Sequence, residues 1–343
     1  ITEKYCGNSV PESPACCAPS GQVFTVDIEN GLAFIFNNTL IYNNWEPQGE
    51  TTRWLVDYTE STVRKNLIGF LGILNKYLKA PDHIHDHTKT FIQNVTEYVL
   101  GQESFTAPQL QNIFIELQSN GGDGYLSAWQ PSVSCHNIKE DKCYANEWIA
   151  SCGFWNMFHT MTVSAAKDNA TDHLEVLEAI KGFMHNFFFC WECRHHFLGM
   201  YEQTIDTYGD NTVNTTDKAI LWLWCTHNTV NQVWPLEEGN YWPPHPRFPP
   251  PGACPDCWTE SPGAEYTNCS ALFCQGNQGP YDCFEAQSVL HKPPFPRTYH
   301  NFSMPHVLQY LKGVYSGPYS ILNPQPIDKK LNITANIKCP QLQ

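Results

Sequence analysis

Fifteen cysteines in 343 residues constrain this chain more than any other feature. So many thiols either bind metal or close into disulfides, and disulfides persist only in an oxidising compartment. Seven Asn-X-Ser/Thr sequons, at Asn37, Asn94, Asn169, Asn214, Asn268, Asn301 and Asn332, point the same way. Together they place the chain outside the cell or in the secretory-pathway lumen, endoplasmic reticulum or Golgi. The cysteine count is odd, so at least one thiol is free or pairs outside the chain. Twenty basic residues against 34 acidic ones give a net charge of −14, with no Lys/Arg cluster longer than Arg64-Lys65 or Lys329-Lys330. That excludes the concentrated cationic face that nucleic acid requires. No apolar run approaches the ~18 residues of a membrane span. The first residues lack the apolar core of a signal peptide, which sets the expectation of a chain that begins after processing or is a fragment.

The periodicity is helical throughout, and the expected fold class is all-α, built as two helical bundles. Residues 1–24 carry Cys6, Cys16 and Cys17 among Pro, Ser and Gly and read as a disulfide-pinned segment. Residues 25–125 form a first helical domain. A helix begins near Val26, Trp54 to Leu78 repeat apolar residues at threes and fours, and further helices fall near 88–100 and 107–118. The breaker Gly121-Gly122-Asp123-Gly124 ends it. Residues 126–316 form a second domain with helices expected at 146–167, 172–189, 191–208 and 216–234, a four-helix bundle completed by Met304 to Tyr315. An irregular, cysteine-rich insertion occupies about 258–300, and 317–343 are a tail.

Cys190-Trp191-Glu192-Cys193 is the most telling short motif. A two-residue spacer at a helix start lets two sulfurs form a readily exchanged disulfide, and the helix dipole favours the thiolate. Alone, such a motif also fits a structural disulfide or half a zinc site. Downstream, Trp224, His227, Asn228 and Asn231 stand at i, i+3, i+4 and i+7, one face bearing an aromatic, an imidazole and two amides. Trp155, His159 and Thr162 repeat the idea on an earlier helix. Two such faces turned into a bundle suit a large planar heterocycle that needs both stacking and edge contacts.

Three segments, Trp155-Asn156-Met157-Phe158-His159-Thr160-Met161-Thr162-Val163, Phe188-Phe189-Cys190-Trp191-Glu192-Cys193-Arg194-His195-His196-Phe197 and Leu221-Trp222-Leu223-Trp224-Cys225-Thr226-His227-Asn228-Thr229-Val230-Asn231, resemble in order the FAD-site motifs of the Erv-type flavin thiol oxidases. Their wording is nearest to the quiescin sulfhydryl oxidases. The resemblance implies an FAD-dependent sulfhydryl oxidase with Cys190 and Cys193 as its redox pair, Cys190 meeting the substrate thiol and Cys193 facing the flavin. Oxygen would take the electrons and leave as hydrogen peroxide. It implies that Trp155 and His159 pack against the flavin and its ribityl or diphosphate region, that Glu192 and His196 also contact FAD, that Trp224, His227, Asn228 and Asn231 enclose adenine and ribose, and that His245 and Phe248 bind the cofactor. Phe248-Pro249-Pro250 and Trp242-Pro243-Pro244 both offer the flavin-side aromatic. The first domain resembles the family's degenerate, cofactor-free copy of the same bundle. Cys254-Pro255-Asp256-Cys257 corresponds to an accessory pair, expected here to be a structural clip. The resemblance pairs Cys135 with Cys152, with Cys143 as the rival partner. An Arg that the family commonly places before the cysteine matching Cys152 has no counterpart, since that loop reads Tyr144-Ala145-Asn146-Glu147-Trp148. The implied partners are reduced proteins or small dithiols, molecular oxygen, and an upstream thioredoxin-like domain or separate thiol carrier.

Two smaller clusters carry bland readings. His83, His85, Asp86 and His87 follow Pro81-Asp82 and read as a solvated loop, so no metal is expected. Cys257, Cys269, Cys274 and Cys283 read as disulfide partners in place of a zinc knuckle. The competing function is a disulfide-rich secreted glycoprotein that keeps the scaffold for protein interaction and turns over weakly.

Overall fold

A computed structural model describes residues 23–43, 54–120, 146–209, 212–237, 248–249, 253–259, 266–267, 269–273 and 301–319. The expected N-terminal pinned segment to residue 22, the Gly121–Gly124 breaker, most of the insertion and the tail beyond 319 lie outside the described residues.

Helices dominate, as the periodicity requires. Helix α1 (Thr25–Phe34) runs into a π-helical turn at Ile35–Thr39. Helices α2 (Ser61–Tyr77), α3 (Asp86–Gly101) and α4 (Ala107–Asn120) complete the first group. Each buries residues three and four apart: Val63, Leu67, Phe70, Leu71 and Leu74 on α2, and Phe91, Ile92, Val95 and Val99 on α3. The second group holds α5 (Asn146–Lys167), α6 (Glu175–Phe187), α7 (Trp191–Tyr201, continued by a π-helical turn at Glu202–Asp206) and α8 (Thr216–Glu237). A short α9 (Cys269–Phe273) and α10 (Met304–Tyr315) follow, the latter returning to pack on α5 and α8.

The two groups share one apolar cluster, because α1 lies along α5 and α2 along α6. Glycines set both approaches. A Cβ on Gly153 of α5 would sit 2.8 Å from the Gly31 Cα of α1 and collide with the Asp27 carbonyl. One on Gly182 of α6 would meet the Asn66 side chain of α2 at 2.9 Å. Phe70 and Phe183 stack across the second approach at 4.4 Å.

The structure departs from the sequence reading at Trp54–Leu55 and in the insertion. Trp54 and Leu55 do not extend α2. They form β2 (Trp54–Leu55), paired antiparallel with β1 (Tyr42–Asn43), and are exposed by 54% and 52%. The helix waits until Ser61 because the Asp57 carboxylate takes the Thr59 amide at 2.9 Å and its hydroxyl at 2.6 Å, an Asx turn that holds the backbone out of helix. The insertion is also not wholly irregular. Besides α9 it contributes β3 (Trp258–Thr259) and β4 (Tyr266–Thr267), which flank β5 (Asn301–Ser303) in a small antiparallel sheet. Among the described residues no helix is long and apolar enough to cross a membrane.

Candidate active site

Cys190 and Cys193 form a disulfide at the start of α7. Cys190 is the N-cap residue, in extended conformation, and its Sγ accepts the Cys193 N–H at 3.2 Å. Both cysteines are half-buried, so the bond is reachable without leaving the core surface. The orphan amides of a helix's first turn stabilise negative charge there, which favours Cys190 as a thiolate when the disulfide opens.

Sequence reasoning missed Arg194. It is 4% exposed, its amide donates to the Cys190 carbonyl at 3.0 Å, and its guanidinium donates to the Phe188 carbonyl at 2.5 Å. Burial pushes it down to about 10, so it remains a cation at neutral pH within the turn that carries the disulfide. A lone Arg in a motif rich in aromatics was the available signal.

Aromatic rings connect the disulfide to the polar faces of α5 and α8. Phe188 and Phe189, just before Cys190, lie 5.6 and 6.3 Å from Phe154, the neighbour of Trp155. The Trp155 indole stacks on the His227 imidazole at 4.0 Å with 4° between planes. His159 and His227 join through Nε2 and Nδ1 at 3.1 Å, so one ring donates and the other accepts. His159 also stacks on Tyr315 of α10 at 4.8 Å.

Burial alone holds the His159 imidazole down at about 3, neutral throughout the physiological range. The unfolded chain takes up that proton near pH 6.5, so His159 costs no stability above that pH. Stability falls as pH drops from 6.5 toward 3, by about 1.4 kcal/mol per unit from this group. Thermal unfolding over that window should therefore show a shallower pH dependence in His159→Gln than in the parent chain. Identical slopes would contradict it.

Phe248 belongs to this cluster. Its buried ring lies near-parallel to His227 at 6.3 Å. Its carbonyl accepts from Trp224 Nε1 at 2.7 Å and Asn228 Nδ2 at 2.9 Å, while its amide donates to Asn228 Oδ1 at 2.8 Å. Trp224 and Asn228, expected against a ligand, thus spend their polar atoms fixing the loop that presents Phe248. The rival aromatic Trp242 lies outside the described residues, as do His245 and the side chains of Glu192, Asn231 and Cys152. His196 is half-buried on α7.

The donor set fits a planar heterocycle with a polar rim. Asn156, 1% exposed between Trp155 and His159 in sequence, has both amide atoms without a hydrogen bond among the described residues, and so has His159 Nδ1. Buried orphan groups of this kind cost about 1–3 kcal/mol each unless something pairs with them. Trp155 itself is only half-buried.

Two further disulfides frame the cluster. Cys254 and Cys257 close on one another, with Cys257 fully buried. Cys225 of α8, next to Trp224, pairs with Cys269 and anchors the insertion to that helix. No spacing rule would have linked cysteines 44 residues apart. These bonds take Cys257 and Cys269 out of any zinc knuckle.

The His83–His87 segment is not the solvated loop expected. His83 is 2% exposed and accepts the Lys79 amide on Nδ1 at 3.1 Å, because the chain after α10 folds over it and sets Tyr319 against its ring at 5.3 Å. His85 caps α3 and bonds to Glu29.

Residues 152–240 match the Erv1 / Alr family model. Sulfhydryl oxidase 1 of Gallus gallus is 32% identical over 203 residues, covering 57% of this chain and 25% of that protein. Sulfhydryl oxidase 2 of Mus musculus is 37% identical over 127 residues, covering 34% of this chain and 18% of that protein. The chain thus spans about a quarter or less of the length of these curated relatives. The sulfhydryl oxidase fragment of human QSOX1 superposes with a TM-score of 0.56 at 20% identity, over 86% of this chain and 96% of the fragment, and shows a shared helical fold.

Proposed function

We propose, from the premise that this chain carries an Erv1/Alr family domain at residues 152–240, that it is an FAD-dependent sulfhydryl oxidase. One observation carries the reading. A half-buried Cys190–Cys193 disulfide starts a helix, and Phe188 and Phe189 just before it pack on Phe154, the chain neighbour of Trp155 in the Trp155–His227–His159 cluster, all inside the segment that matches the family.

In this reading a substrate thiolate attacks Cys190, forms a mixed disulfide and expels Cys193 as a thiolate. A second substrate thiol attacks the mixed disulfide at the substrate's sulfur, releasing the substrate disulfide and leaving Cys190 and Cys193 reduced. Bound FAD would supply the two-electron acceptor that reoxidises the pair and returns the electrons to oxygen as hydrogen peroxide. Two thiols and one oxygen molecule thus give one disulfide and one hydrogen peroxide. Arg194 and the α7 amides favour the Cys190 thiolate. Trp155, His227 and Phe248 would hold the cofactor's rings, and the neutral His159 and Asn156 its polar edges. Glu192, His196, Asn231 and His245 complete the proposed contacts, while Trp224 and Asn228 act through Phe248.

The two-domain division, with residues 25–125 cofactor-free and 126–316 catalytic, belongs to the same proposal, since residues 25–118 contain no cysteine. So does a secretory location. All six cysteines whose side chains are described are in disulfides, and Asn37, Asn169 and Asn214 are exposed sequons. The substrates proposed are reduced proteins or small dithiols.

The purified chain should be yellow and release FAD on denaturation, and His227→Ala should lose most of it. A colourless parent chain would favour the non-catalytic glycoprotein scaffold.

A further inference from the structure

Glu29 on α1 and His85 and His87 at the start of α3 form a side-chain cluster that the proposed reaction does not use. One ligand-type atom from each lies within 4.8 Å of the other two. The Glu29 carboxylate is held in place. Its Oε1 accepts the His85 amide at 2.9 Å and the Thr88 hydroxyl at 2.6 Å, which leaves Oε2 facing His85 Nδ1 at 2.8 Å. The His85 and His87 rings lie near-parallel, 5.1 Å apart with 13° between planes. All three residues are half-buried, with the Glu29 and His85 side chains 15% and 32% exposed, so the cluster is preformed yet open on one side.

We propose that Glu29, His85 and His87 form a binding site for a divalent transition-metal cation of the zinc class, clamping α1 to α3. Two imidazoles and a carboxylate are a common zinc donor set, with metal–ligand distances of about 2.0–2.2 Å and water filling the fourth position. Ligands around such an ion stand roughly 3–3.5 Å apart, so the three atoms, now within 4.8 Å of one another, need to draw only slightly closer. Metal enters between Glu29 Oε2 and His85 Nδ1, and any proton on Nδ1 is displaced to Nε2 or to solvent. Hydrogen bonds from Thr88 and the His85 amide orient the carboxylate, as outer partners do in built metal sites. The consequence is mechanical. Glu29 lies two residues from Gly31, where α1 crosses α5, so the clamp fixes the helix on which the flavin-side helix rests.

The test uses the oxidised full chain, with Zn2+ in titration calorimetry and Co2+ in visible spectroscopy. One equivalent of Co2+ should give ligand-field bands without a sulfur charge-transfer band, and Zn2+ should raise the unfolding midpoint, since a ligand bound only by the folded state stabilises it. His87→Asn leaves every Glu29–His85–Thr88 bond in place and should fold normally, yet lose that equivalent and the midpoint shift. Glu29→Gln should weaken binding at least tenfold. No bound equivalent in the parent chain, or unchanged stoichiometry and midpoint shift in His87→Asn, would overturn the site. Neither outcome bears on flavin content, so its failure is distinct from failure of the oxidase reading.

Discussion

Cys190→Ser is expected to reduce dithiol oxidation by at least a thousandfold while leaving flavin bound. Without the Cys190 sulfur the Cys190–Cys193 disulfide that a substrate thiolate would attack is gone. Serine keeps the N-cap of α7, because its hydroxyl accepts the Cys193 amide as the sulfur does at 3.2 Å, so the fold should survive. Cys193 is then left as a free thiol. If it faces the flavin, its thiolate should produce a broad long-wavelength charge-transfer band that strengthens as pH rises through the thiol's pKa. Cys193→Ser should be as inactive and show no such band. A band in Cys193→Ser alone would reverse the two roles, and bands in neither variant would remove the pair from the ring.

The second large effect is on folding. Gly153→Val should destabilise the chain by about 3 kcal/mol or more, the upper range for forcing atoms into a filled core. The added carbons have nowhere to go, because Gly31 Cα and N each stand 2.8 Å from where a Cβ would be built, and backbone cannot rotate away as a side chain can. Moving α1 off α5 would also shift Phe34 from Phe154 and Phe189, which it meets edge-on at 6.0 and 5.0 Å, and so disturb the wall beside the disulfide. Gly69→Ala is the control, since an added Cβ there meets nothing within 4 Å and gains helix propensity of up to about 1 kcal/mol. Equal denaturant midpoints for the two variants would show that the crossing is not close-packed.

Helix positions were legible because burial leaves a local period: α3, α4, α5, α8 and α10 fall within a few residues of their apolar spacing, whereas α2 starts seven residues after the Trp54 that its pattern began on. The Cys190–Cys193 disulfide and the contact of the Trp155, His159 and His227 faces were legible for the same reason, each residue set confined to one short segment. Features made by residues far apart left no such trace. The Gly31–Gly153 crossing, the Cys225–Cys269 bond and the grip of Trp224 and Asn228 on Phe248 depend on which surfaces meet in space. Asn228 shows the difference well. Its place on the helix face was readable, but that both its amide atoms serve a loop twenty residues on was not. His83 fails in the same way, since its burial is imposed by Tyr319, which lies 236 positions later in the chain.

The central claim is that Cys190–Cys193 is the gate between thiols and a bound flavin, and anaerobic mixing with a small dithiol tests it most directly. In the absence of oxygen, dithiothreitol should bleach the yellow of the purified parent chain within seconds, and admitting air should restore the colour with hydrogen peroxide formed in equal amount. Cys190→Ser and Cys193→Ser should stay yellow. A flavin that bleaches equally fast in both serine variants would contradict the account, since electrons would then reach it without passing through the pair.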